Sequence, residues 1–217
     1  MAYGEWLRAP ARAEPPRAAI MLAVESLVLA GLGVGLASVA GVRAFVPLAL
    51  LSLFVRLGFI AEPDIFGLQI GWTFVLVLSA LAVVEIMLDK VRALEPTFGY
   101  VMLPIRMVAG AVLFAAVYEP GALFDAGAVP GLVAGGLIAG VVAGLEVILR
   151  PPARRSSAGV STAFLSAMED LVAVFGGVVG LFLPLVPLLF VGFLLFFFNR
   201  IRKRRGRKYG GLRILGD

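Results

Sequence analysis

Apolar residues in this chain come in long runs and do not alternate with polar ones. Seven runs stand out, at about residues 19–39, 43–60, 70–88, 98–118, 129–148, 161–182 and 185–199. Most approach the roughly twenty residues that a helix needs to cross ~30 Å of hydrocarbon. The strands of a membrane barrel would instead alternate apolar and polar residues. The pattern therefore predicts an all-α fold, a polytopic transmembrane helical bundle of about seven spans. The last two runs come from one stretch, Leu165 to Asn199, with Pro184 and Pro187 inside it. A proline pair can break a helix into a hairpin, and one long kinked span is the alternative.

Composition supports the membrane reading. Of 217 residues 61% are hydrophobic and only 15% charged, where a soluble domain carries about a quarter charged residues. Cysteine and histidine are both absent. That excludes disulfides, thiolate chemistry, histidine-ligated haem and ordinary zinc sites, and no cofactor is expected. Any proton chemistry falls to Asp, Glu, Lys, Arg or Tyr.

The net charge is +5, but the final segment "RIRKRRGRKYGGLRILGD" alone carries +7, which leaves −2 for the rest. This divides the chain into an N-terminal arm at 1–17, a membrane domain at 18–199 and a basic tail at 200–217. Basic residues beside a span favour the cytoplasmic side and attract anionic lipid. Without aromatic or folded context, the tail does not point to nucleic acid. Lys90 and Arg92 after the third run, and Arg150, Arg154 and Arg155 after the fifth, belong on the same side. The acidic connections with Glu62 and Asp64, and with Glu119 and Asp125, belong on the other. This scheme expects a multi-pass protein of the inner (plasma) membrane with a cytoplasmic C-terminus. The first run fits it least well: a re-entrant segment or a cleaved signal peptide would leave six spans, although Glu25 argues against a signal.

Several charges fall inside the apolar runs. Charged groups at membrane depth are costly, and they normally pair or line a wet cavity. Counting from the cytoplasmic helix ends, Arg43, Glu85 and Glu146 form a shallow layer, and Arg106, Glu169 and Asp170 a deeper one. The expected pairs are Arg43 with Glu85 or Glu146, and Arg106 with Glu169 or Asp170. Adjacent helix residues diverge by about 100°, so Glu169 and Asp170 should not share a partner. All six are candidate substrate- or ion-binding residues, with fixing of helix register as the first reading of the shallow three and function as the first reading of the deeper three. Pro104, two residues before Arg106, is a place where the fourth helix can open.

Arg43 precedes Glu85 much as Arg106 precedes Glu146, and "VEIMLDK" aligns with "LEVILRP" through the glutamate. This suggests an internal repeat of helical hairpins, with chance similarity among Val- and Leu-rich helices as the alternative. Small residues four apart, at Gly31 and Gly35, Gly131 and Gly135, and Gly136, Gly140 and Gly144, predict close helix packing. They single out the fifth helix as the central one. A homo-oligomer is compatible with this pattern.

No P-loop, HExxH or GxSxG motif occurs, and no enzyme is expected. The segments "AGVRAFVPL", "VVEIMLDKV" and "MEDLVAV" resemble a family of bacterial inner-membrane proteins, domain of unknown function 4126. The resemblance covers roughly residues 30 to 200, supports the architecture and implies no activity. The expected function is a transporter or channel-like protein for a small solute, ion or lipid carrier, working through a cytoplasm-facing polar cluster. A non-catalytic membrane scaffold with structural ion pairs is the alternative.

Overall fold

The computed structural model describes residues 16–60, 70–90, 95–118, 128–150 and 162–210. Within them the chain forms seven helices: α1 (Pro16–Ala40), α2 (Phe45–Arg56), α3 (Trp72–Asp89), α4 (Glu95–Tyr118), α5 (Val129–Leu149), α6 (Thr162–Gly180) and α7 (Val186–Gly210). Four stretches, Ile20–Ala40, Trp72–Asp89, Phe98–Tyr118 and Val129–Leu149, are long and apolar enough to cross a membrane. The N-terminal arm up to residue 15, the acidic connections at 62–64 and 119–125, and Arg92, Arg154 and Arg155 lie outside the described residues.

α2 corrects the expected second span. Its 12 residues give a rod of about 18 Å, well short of the ~30 Å of hydrocarbon. The apolar run continues through "LGFI", but the helix does not. Gly58 adopts a left-handed φ of 78°. Its N–H donates to the Val55 carbonyl at 2.9 Å, and the Phe59 N–H donates to the Phe54 carbonyl at 3.0 Å. This is the paired-bond helix stop that a glycine favours. The Phe54 and Phe59 rings close over it, with centroids 5.7 Å apart.

The proline pair behaves as expected. α6 ends at Gly180 and α7 starts at Val186, with Leu185 between them at a φ of 64°. The Leu185 N–H donates to the Gly31 carbonyl of α1 at 3.2 Å. A Cβ on Gly31 would meet Pro184 Cβ at 2.8 Å, and one on Gly35 would meet Pro187 at 3.1 Å. The small face of α1 thus seats the hairpin turn. α7 then returns far enough for Arg202 to donate to the Ile148 carbonyl at the end of α5. The basic segment begins as a continuation of α7 through Gly210.

Consecutive helices pair, α2 with α3, α4 with α5 and α6 with α7, and α1 touches α2, α4, α5, α6 and α7. The centre is therefore α1 and not α5. Leu36, Ala37, Ser38, Val39 and Ala40 are all fully buried. α5 packs one face tightly on α4, where Gly135 meets Gly110 and Phe114. Val133, Leu137, Val141 and Ile148 on its other face are exposed, as expected of a lipid-facing surface. α4 runs unbroken through Pro104.

Candidate functional site

Alternating helix directions bring the C-terminal ends of α1, α3 and α5 and the N-terminal parts of α2 and α6 to one end of the bundle. There the α1–α2 turn, Gly41–Ala44, is completely covered by protein. Gly41 makes this possible, because a Cβ there would sit 2.7 Å from the Ala139 carbonyl oxygen of α5. Non-helical backbone at membrane depth is tolerated only where protein or a water-lined cavity surrounds it. The ionisable side chains gather around this turn.

Arg43 is the hub. Its Nη2 lies 2.8 Å from Asp89, 3.3 Å from Glu169 and 2.8 Å from Asp170. Its Nε also donates to Asp170 at 3.1 Å. Asp89 is the matching acid. It accepts two hydrogen bonds from Arg150, at 2.6 and 3.0 Å, and one from the Ser166 hydroxyl at 3.0 Å. Arg150 Nε reaches Glu169 Oε1 at 3.2 Å and Nη1 lies 4.0 Å from Glu146. Burial works against the charge of Arg150, but Glu169, Asp89 and Glu146 outweigh it and raise its pKa above the ordinary guanidinium value. Lys90 closes the rim by donating to Asp170 at 2.8 Å.

A second group sits beside the first. Glu85 accepts from the backbone N–H of Ala44 at 2.9 Å and of Phe45 at 3.0 Å. It thereby caps α2, whose N-terminus carries partial positive charge. Arg106 donates to Glu146 and, at 3.3 Å, to the Gly41 carbonyl. Its Nε stands 4.0 Å from Glu85. Among the described residues, Arg43 Nη1, Arg106 Nε and Glu169 Oε1 are buried without a hydrogen-bond partner.

All six residues expected from the sequence therefore meet, but not in the expected pairs. Arg43 does not pair with Glu85 or Glu146, and Arg106 does not pair with Glu169 or Asp170. Side-chain direction explains the exchange. Every Cα–Cβ bond in a helix tilts toward its N-terminus. Arg106 and Glu169 lie on helices that start at the polar end, so their side chains lean back toward it. Glu146 lies on a helix that ends there, so it leans inward to meet Arg106. Glu169 and Asp170 also share Arg43 despite their divergence, because the guanidinium lies between them and offers donors to both.

Asp89, Arg150, Ser166 and Lys90 also belong to the site, although their positions at helix ends suggest headgroup-zone residues. The signal for two of them was spacing: Asp89 follows Glu85 by four residues and Arg150 follows Glu146 by four, each on the same helix face. Glu25 is exposed and far along α1 from the cluster. Arg56 is exposed as well and stacks over Trp72 at 5.3 Å. Among the described residues no group of three or more Asp or Glu side chains is arranged to hold a metal ion.

The two adjacent acids make a test of this geometry. Glu169 is wholly buried between two arginines, whereas Asp170 is 19% exposed and shares its charge with a half-exposed lysine. Glu169→Gln is expected to lower stability in detergent by about 3 kcal/mol. Asp170→Asn should cost about 1 kcal/mol or less. Melting curves of the two variants check this, and equal losses would contradict the assigned depths.

The family model described as "Domain of unknown function (DUF4126)" matches residues 30–204. Neither the curated proteins nor the solved structures contain a match to the chain. With most of its length covered, the chain belongs to the domain of unknown function 4126 family.

Proposed function

We propose that this family member is a membrane transporter or channel-like protein for a small solute, ion or lipid carrier. The observation that carries the reading is the buried Gly41–Ala44 turn, ringed by charged side chains from α3, α4, α5 and α6. Transporters commonly place their sites where a helix is interrupted and a half-helix N-terminus points at the solute. The short helix α2 supplies such an N-terminus.

The second support is how α3 is held. Among the described residues its backbone packs along α2 and lightly on α4 and does not run alongside α5 or α6. Leu76, Val77, Val83 and Met87 are exposed along it. Glu85 and Asp89 fasten its last turns to the cluster. In this reading Asp89, Arg43, Arg150 and Glu169 form a latch that closes the polar end, and opening it gives access to Arg106 and the α2 N-terminus. The chain sits in the inner (plasma) membrane with the polar end and C-terminus in the cytoplasm, and the basic end of α7 lies against anionic lipid. No covalent reaction and no nucleic acid enter the reading.

One observation favours the scaffold alternative: nearly every charged group in the cluster lies within 4.0 Å of an opposite charge. A static bundle would keep such pairs for register alone. Flux separates the two readings. The protein is reconstituted in liposomes, and currents are recorded after concentration jumps of protons, sodium and a panel of small organic anions. Transport predicts a current for at least one of them that Arg106→Gln abolishes. Silence across the panel, in vesicles shown to hold folded protein, would leave the scaffold.

A further inference from the structure

We infer that the N-terminus of α2 is a carboxylate-binding subsite, and that Glu85 occupies it as a tethered stand-in for a carboxylate on the transported solute. The inference rests on the transport reading for the role of that solute, but the subsite can be tested without any flux.

The geometry comes from three elements. Ala44 and Phe45 present adjacent backbone N–H groups, each bonded to one oxygen of the same carboxylate, at 2.9 and 3.0 Å. A planar group with two oxygens matches this pair of donors. α2 adds the positive end of its dipole. The guanidinium of Arg106 is 1% exposed, and its Nε stands 4.0 Å from the same carboxylate. That Nε has no hydrogen-bond partner among the described residues. A buried donor left unsatisfied costs free energy, so this one marks a position that a better-placed oxygen would fill. Glu85, anchored to α3, binds both N–H groups but stops short of the arginine. A free carboxylate has no such tether and can engage all three donors.

The remaining charges fit this division. Glu146 and the Gly41 carbonyl hold the far side of the Arg106 guanidinium, which fixes Nε toward the subsite. The latch residues Asp89, Arg43, Arg150 and Glu169 pair with one another and leave the subsite to Glu85 and Arg106. Displacing Glu85 would also release one of the side chains that tie the last turns of α3 to the cluster, so binding of the solute and movement of α3 would be coupled.

Anion rescue tests the subsite. Glu85→Ala leaves the Ala44 and Phe45 N–H groups without their acceptor, and its melting temperature in detergent should fall. Acetate or formate is then titrated in, with phosphate and chloride at matched ionic strength as comparisons. The inference expects the small carboxylates to restore about half or more of the lost melting temperature, saturably. Phosphate and chloride should restore much less, and Arg106→Gln in the same background should remove the rescue. If Glu85→Ala does not fold, Glu85→Ser keeps one short acceptor and leaves room for the anion. Equal recovery with chloride, recovery with phosphate alone, or none with any anion would overturn the carboxylate assignment. Rescue in a protein that shows no flux would retain the subsite and remove the transport reading; flux without rescue would do the reverse.

Discussion

Replacing Arg43 with methionine is expected to lower stability by about 3–5 kcal/mol. Methionine replaces the apolar stem and carries no charge, so the change removes the cation and leaves the space of the guanidinium unfilled. Arg43 is fully buried and serves Asp89, Glu169 and Asp170 together. Asp89 would retain Arg150, and Asp170 would retain Lys90. Glu169 would keep only the 3.2 Å approach of Arg150, and three carboxylates would crowd one end of the bundle. Breaking a buried pair by removing one partner is costly because the other charge stays behind. Thermal unfolding in mild detergent reads the loss. A change under about 1 kcal/mol would mean that water reaches these carboxylates freely.

The second large effect is steric. A Cβ on Gly135 would lie 2.5 Å from Phe114 Cβ and would also collide with the Gly110 carbonyl. α4 and α5 approach backbone to backbone there, so neither neighbour can swing aside. Gly135→Ala should therefore cost about 1–3 kcal/mol through overpacking, against the usual gain of alanine in a helix. Gly144 on the same helix has nothing within 4 Å of the corresponding position. Gly144→Ala should be neutral or slightly stabilising, which isolates the helix contact as the cause. A comparable loss in both variants, measured by melting, would contradict the α4–α5 interface.

These sites show how much the sequence reveals. The helices were legible because apolar runs near twenty residues have few other uses. The hairpin was legible because Pro184 and Pro187 interrupt such a run. The length of α2 was obscured because apolar residues continue past Arg56 while Gly58 turns the chain. The close packing around Gly135 was legible as small residues four apart, but Gly136 and Gly140 face Met107 and Gly144 meets open space. Spacing finds candidate faces without saying which one meets a neighbour.

The cluster was legible in membership and obscured in pairing. Charges inside apolar runs single out Arg43, Glu85, Arg106, Glu146, Glu169 and Asp170. Depth counted along the backbone then misassigns their partners, because side chains on antiparallel helices lean in opposite directions. Glu85 shows a further limit of such counting: its partners are backbone N–H groups of the next helix start, which no charge pattern displays. Asp89 and Arg150 look like ordinary helix-end charges until the structure brings the ends of α3 and α5 together.

One buried ionic network joins α3, α5 and the α1–α2 turn. The pair Asp89–Arg150 is the most direct test, with two hydrogen bonds at 2.6 and 3.0 Å between helices whose backbones do not run side by side among the described residues. The measurement is a double-mutant cycle of Asp89→Asn and Arg150→Gln, followed by unfolding in detergent. A network of this kind gives a coupling energy of about 2–3 kcal/mol, at the upper end for interacting pairs. Additivity within about 0.5 kcal/mol would mean that the two residues do not meet, and would contradict it.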